Sequence, residues 1–115
     1  MTEPVKITYG AAERMPSGMV VEEAPAAPVT QGPEWPFRTS RFSVPHGARS
    51  ELDQHEVVEV WMVRSGAGIV YSGGTATAVG PGESVFFPSM VPHQVETTSA
   101  EPLEVFSAWW REAAR

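Results

Sequence analysis

Cysteine is absent from this 115-residue chain. That excludes disulfides, thiolate metal ligands and a cysteine nucleophile together, so any metal ion has to be held by histidine, aspartate or glutamate. Basic residues are scarce: eight Lys and Arg stand against fourteen Asp and Glu, for a formal net charge of −6. No basic stripe could neutralise a phosphate backbone, and nucleic acid is not an expected partner. No apolar run reaches the roughly 20 residues that span a bilayer, and the opening "MTEPVKITYG" lacks the basic-then-apolar order of a secretory signal. The expectation is a soluble, cytoplasmic protein with no membrane partner. The length suits one domain with its own core and is too short for two ordinary ones.

From Phe37 onward, short β-branched and aromatic segments alternate with Gly, Pro, Ser and His, which is the pattern of an antiparallel all-β domain. Strands are expected at about 37–44, 56–64, 67–72, 75–79, 83–88, 93–98 and 103–110. In "VVEVWMVR" the period of two puts Glu59 on the same face as Trp61 and Val63. A carboxylate is thereby aimed where the large apolar side chains point. Gly73-Gly74 supplies the positive φ that a tight hairpin needs, and Gly80-Pro81-Gly82 a second turn. Before Phe37 the chain changes character: "EEAPAAPVTQGPEWP" is rich in proline, which cannot donate to a ladder. Residues 1–36 are expected to form an extended arm with edge strands near 4–9 and 18–23. The barrel would occupy 37–110 and a tail 111–115, with "WWREAAR" the one candidate helix.

The chemistry concentrates in two stretches. In "GARSELDQHEVVEVWMVRSG", five residues separate Gly47 from Asp53, one separates Asp53 from His55, three separate His55 from Glu59 and six separate Glu59 from Gly66. Alternation would carry 53, 55, 57 and 59 on one face of a strand and its approach, so three donors can converge. In "GESVFFPSMVPH", Gly82 is followed after five residues by Pro88, then Met90, then His93. A fourth donor thus opens another strand. His46, just after Pro45, reads as a loop residue; Glu51, Gln54 and Glu56 read as solvent-facing. Trp61, Phe86, Phe87, Phe106 and Trp109 read as core, although Trp61, beside Glu59, could also line a mouth that grips a flat or apolar substrate.

These spacings resemble the cupins, whose two motifs are written G-x5-H-x-H-x3-4-E-x6-G and G-x5-P-x-G-x2-H-x3-N. Gly47, His55, Glu59 and Gly66 match the first, and Gly82, Pro88 and His93 the second. Asp53 stands in place of the first His, Met90 in place of the second motif's Gly, and Thr97 in place of its Asn. The resemblance covers roughly residues 37–110 and implies an all-β, small cupin-type β-barrel (jelly roll) with the site in its open end. It implies a divalent metal ion, Fe²⁺, Mn²⁺ or Zn²⁺, held by Asp53, His55, Glu59 and His93, with His55, Glu59 and His93 serving the reaction. Asp53 is either a ligand or an acceptor that holds the other ring nitrogen of His55. The implied activity is that of a metal-dependent enzyme on a small organic molecule: a dioxygenase, isomerase, cyclase or, from the ending "PHQVETTSAEPLEVFSAWW", a hydrazine-forming enzyme of bacterial specialised metabolism. Two other readings stand beside it. One is a metal-independent dehydratase or isomerase in which His55 or His93 is the acid or base. The other is a non-catalytic module that binds a small ligand. Exposed edge strands and the arm give the expectation of a homodimer.

Overall fold

Residues 4–26 and 35–111 are described by the structure, a computed structural model. Their alternating apolar segments form nine strands: β1 (Glu13–Arg14), β2 (Val20–Glu23), β3 (Arg38–Val44), β4 (Val58–Ser65), β5 (Gly68–Ser72), β6 (Thr75–Val79), β7 (Ser84–Phe87), β8 (His93–Thr97) and β9 (Leu103–Trp110). All pair antiparallel, in a six-stranded sheet ordered β1-β2-β3-β9-β4-β7 and a three-stranded sheet ordered β6-β5-β8. The result is all-β, as the residue pattern implies, and a jelly roll, as the resemblance implies. No helix among the described residues is long and apolar enough to cross a membrane.

The core lies between the two sheets. Phe42, Val44, Trp61, Val63, Leu103 and Val105 face inward from the larger sheet and meet Val70, Val79 and Val95. Trp61, 3% exposed, is the hub: its ring lies edge-on to Phe42 at 5.1 Å and to Phe87 at 4.7 Å. Replacing a tryptophan so enclosed by alanine costs about 3–5 kcal/mol.

Turn chemistry sets the register. Gly73 and Gly74 both take positive φ, 57° and 82°, and close the β5–β6 hairpin. Gly66 follows a bulge between Val63 and Ser65, and its backbone runs so near the next strand that a Cβ would lie 2.4 Å from the Pro102 carbonyl oxygen. Only glycine fits there.

Three expectations are corrected. Residues 4–12 form no strand: Pro4 has no amide hydrogen, and the segment is tethered by the Gly10 amide on the Glu23 carbonyl (2.8 Å) and by Arg41 over the Tyr9 ring (4.4 Å) rather than by a ladder. Trp109 and Trp110, the start of the candidate helix, are the last residues of β9, held by pairing with Glu59 and Val58; residues 112–115 lie outside the described residues. Phe86 and Phe106 are not core: the pleat that buries Phe87 turns Phe86 to the outer face, where it is 56% exposed, and the pleat that buries Val105 and Ser107 turns Phe106 to the same face, where it is half-buried.

Met90 takes φ of 65°, the left-handed region, at the position where the second motif calls for glycine. A side chain there costs about 1–2 kcal/mol, against roughly 0.5–1 kcal/mol for the extra chain entropy glycine loses on folding. Met90→Gly is therefore expected to stabilise the fold by about 0.5–1 kcal/mol and raise Tm by a few degrees. A Tm that stays level or falls would show that Met90 contributes contacts which outweigh the strain.

Candidate functional site

Glu59 is the second residue of β4, and the β pleat carries its carboxylate inward beside Trp61. The side chain is 12% exposed, and burial at that level demands partners. It has them on both oxygens. The Trp61 indole donates to Oε2 at 2.9 Å, and the hydroxyl of Ser107, which faces Trp61 across the β4–β9 ladder, donates to the same oxygen at 2.5 Å. Oε1 faces Nε2 of His93 at 3.0 Å.

His93 opens β8 and is 3% exposed, stacked on Phe87 with ring centroids 4.1 Å apart. Its Nδ1–H donates to the Val91 carbonyl at 3.0 Å. That bond leaves Nε2 as the nitrogen that can bind a proton or a metal ion, aimed at Glu59. Burial alone would push the Glu59 carboxyl up; the hydrogen bonds from His93, Ser107 and Trp61 outweigh it and hold the group below the usual carboxylate range. Burial likewise opposes charge on His93, but the Glu59 carboxylate and the Val91 carbonyl raise the imidazole above its ordinary value. With no metal ion bound, both shifts favour the charged pair, carboxylate beside imidazolium.

Asp53 and His55 reach the same region by a different route from the one their alternation suggests. The strand expected from about residue 56 starts at Val58, after a bend at Glu56 and Val57, and its approach is irregular. Asp53 instead forms an isolated bridge with His93, amide to carbonyl in both directions at 3.0 and 2.9 Å. The His55 carbonyl accepts from the Met90 amide at 2.7 Å. Side-chain alternation survives nonetheless: Glu51, Asp53, His55, Val57, Glu59 and Trp61 all line one cavity of about 440 Å³. The Asp53 and His55 side chains are half-exposed, with Oδ1 and Nε2 3.6 Å apart, beyond hydrogen-bond range. Burial raises the Asp53 carboxyl, partly offset by His55 and His93.

The four predicted donors therefore stand as two facing pairs, Asp53 with His55 and Glu59 with His93. Among the described residues no three of them meet in the arrangement of a metal site. The donor chemistry still suits a divalent ion: both His Nε2 atoms face carboxylate oxygens, and the Trp61 and Ser107 bonds fall on Oε2, so a metal ion would take Glu59 Oε1 and His93 Nε2 in place of their contact with each other.

The other candidates fall as follows. His46 is a loop residue whose Nδ1–H donates to the Ser99 carbonyl at 2.7 Å. Gln54 is exposed and donates to the Met90 carbonyl, and Glu56 is exposed 3.8 Å from Arg111. Glu51 departs from expectation: it lines the cavity, and its Oε1 is buried without a hydrogen-bond partner. Thr97, in place of the motif's Asn, is a satisfied core hydroxyl that donates to the Val44 carbonyl at 2.8 Å. Ser107 was not singled out. The signal was a lone serine in the inward series Leu103, Val105, Ser107, Trp109, where an apolar residue would otherwise sit. The arm also contributes more than edge strands, since Met15, Met19 and Val21 form one wall of the cavity.

The cupin domain model matches residues 40–109, a span that includes Asp53, His55, Glu59 and His93. The chain belongs to the cupin family. Solved cupin-fold structures are similar over nearly its whole length. One is a cupin 2 conserved barrel domain protein from Salinispora arenicola, with TM-score 0.76 and 21% identity over 94% of this chain and 90% of that one. A predicted oxalate decarboxylase from Thermotoga maritima gives 0.69 and 20%, covering 93% and 95%. KdgF from Halomonas sp. gives 0.70 and 17%, covering 90% and 88%. At these identities the likeness shows the fold, and the reaction has to be argued from the cupin site itself.

The Glu59–His93 pair predicts a pH window for the metal-free protein. The raised imidazole contributes stability that is full below its unfolded value of 6.5 and is lost as pH rises through the folded value. The lowered carboxyl contributes stability present above its unfolded value of 4.5 and lost as pH falls through the folded value. The Tm difference between wild type and His93→Gln should therefore be largest between pH 4.5 and 6.5 and shrink on either side. A difference that does not vary with pH would show that the pair is not ionic.

Proposed function

We propose that this cupin is a metal-dependent enzyme acting on a small organic molecule in the cytoplasm, with Asp53, His55, Glu59 and His93 holding the ion. The observation that supports it most directly is that each His Nε2 faces a carboxylate that lines the same cavity, His55 at 3.6 Å from Asp53 and His93 at 3.0 Å from Glu59. Two carboxylates offset the charge of a divalent ion and favour Fe²⁺ or Mn²⁺, without excluding Zn²⁺. Bound there, the ion would supply Lewis-acid or O₂ chemistry at its open positions.

The chain's own residues do the rest. Val91 fixes the tautomer of His93, Trp61 and Ser107 orient Glu59, and the apolar wall of Met15, Met19 and Trp109 keeps water from the inner end of the cavity. The resemblance to bacterial specialised-metabolism cupins favours a dioxygenase, cyclase, isomerase or hydrazine-forming reaction.

A second reading is favoured by one observation, the direct 3.0 Å contact of Glu59 with His93. Here the pair works without metal: His93 gives and receives a proton at Nε2, and Glu59 sets its basicity. Metal content and chelator sensitivity separate the two. His55→Ala suits the test better than His93→Ala, because His55 is half-exposed whereas removing His93 would open a hole beside Phe87 and Trp61. On the metal reading, purified protein carries about one divalent ion per chain, and His55→Ala lowers its affinity at least about tenfold, the range seen when a metal site loses a supporting group, with Tm little changed. Undiminished metal affinity in His55→Ala, or full activity after chelation, would sink it.

Assembly as a homodimer is proposed through the outer face of the six-stranded sheet. Met62 (43% exposed), Phe86 (56%) and Trp110 (38%) lie there in neighbouring rows with Val60 and Phe106 between them. An exposed apolar band of this kind favours self-association. Sedimentation should give twice the chain mass for wild type and the single mass for Met62→Lys/Phe86→Lys. A wild-type monomer at micromolar concentration would reject the dimer.

A further inference from the structure

The cavity described above carries its own statement about charge. Its lining includes five carboxylates, Glu13, Glu23, Glu51, Asp53 and Glu59, and no Lys or Arg. A divalent ion at Asp53 and Glu59 would offset those two and leave three. Glu13 and Glu23 sit at the exposed rim on β1 and β2, and neither they nor Glu51 pairs with Lys or Arg among the described residues.

Glu51 lies deeper. Its side chain lines the cavity while its Oε1 is buried with no hydrogen-bond donor, which costs free energy; a small turn of the carboxyl toward the cavity would bring it to a donor held there. Arg38, opposite Trp109 in the ladder, is not part of the lining: its Nη2 donates to the Ala24 carbonyl at 3.4 Å, and its Nε is buried without a partner of its own. Between the acidic rim and the donor pairs the wall is apolar and aromatic, with Met15, Met19, Trp61 and Trp109. Aromatic faces beside carboxylates favour an organic cation, through its charge and its apolar body at once.

We infer that the substrate or ligand of this cavity is an amine-bearing molecule, protonated at neutral pH, whose ammonium donates to Glu51 while its apolar body lies against Met19 and the two tryptophans. This rests on the cavity being the reaction site of the proposed enzyme, but the charge argument does not require the metal. It sets the protein apart from a decarboxylase of small dianions, which this wall would repel.

Calorimetric titration of the full chain with phenethylamine and with hydrocinnamate, its carboxylate counterpart, tests the inference. Both titrations are run on protein freed of metal and on protein saturated with Mn²⁺. Phenethylamine is expected to bind about tenfold or more tightly than hydrocinnamate in both forms, and Glu51→Gln to weaken the amine about tenfold, as loss of a hydrogen bond to a charged group does. The stoichiometry of Mn²⁺ should be unchanged in Glu51→Gln. Glu23→Gln, at the exposed rim, should weaken the amine by a smaller factor and serves as the second variant if Glu51→Gln folds poorly.

Equal or tighter binding of hydrocinnamate in either form would overturn the inference. So would no binding of the amine at millimolar concentration, an amine affinity unmoved by both variants, or loss of Mn²⁺ in Glu51→Gln, which would make Glu51 a metal ligand. Failure of wild type to bind Mn²⁺ together with preserved amine preference would remove the metal mechanism and leave the ligand class standing.

Discussion

A carboxylate placed inside a β-barrel has to be satisfied from several directions, and the architecture of this protein follows from how Glu59 is satisfied. Its donors come from separate strands: Trp61 from β4 itself, Ser107 from β9 and His93 from β8 in the opposite sheet. The last contact joins the two sheets by a polar bond in the middle of an apolar core. Breaking one side of such a pair leaves an uncompensated buried charge, at about 3–5 kcal/mol, whereas packing alone could have filled the space without that penalty. Retention of a costly polar group where Val or Leu would fit argues for a role in chemistry rather than in stability.

The dependence runs outward from there. His93 faces Glu59 with its other nitrogen held by Val91 and its ring supported by Phe87; Phe87 ends β7, and Val91 lies in the stretch that links β7 to β8. That stretch is in turn tied to the approach of β4, through the Met90 amide on the His55 carbonyl and the two-way bridge between Asp53 and His93. The two motif stretches, 40 residues apart from Asp53 to His93, are thus one hydrogen-bonded unit. Met90 in the left-handed region is strain located inside that unit, where the surrounding bonds can hold it.

Much of this was legible in the residue order. Period-two alternation located β4 and β9 to within two residues, because each has one buried and one more exposed face. The spacing of Asp53, His55, Glu59 and His93 anticipated that these side chains meet near one cavity, as two facing pairs. What it did not carry was the means. Asp53 belongs to an irregular bridge with β8 rather than to a continued β4, and no local pattern reports a partner forty residues away. Phe86 and Phe87 are identical in type, and only the register against Val60 and Glu59 decides which is buried. Glu51 looked solvent-facing because acidic residues usually are; its position depends on the β8 contact of the 47–53 segment, where Ser50 receives the Val95 amide at 2.9 Å.

The arm completes the argument from charge. Without β1 and β2 the cavity would be a shallow dish on the larger sheet. With them it gains Met15 and Met19 as a wall and Glu13 and Glu23 as a rim. A protein seeking only stability would not bring two more carboxylates toward three already gathered there, since like charges destabilise the compact state that holds them. The arrangement becomes favourable when cations occupy the cavity, because any ligand that binds the folded chain and not the unfolded one stabilises it by mass action. Fold and ligand are then coupled through the arm: the same residues that close the cavity make it electrostatically incomplete until something positive is inside.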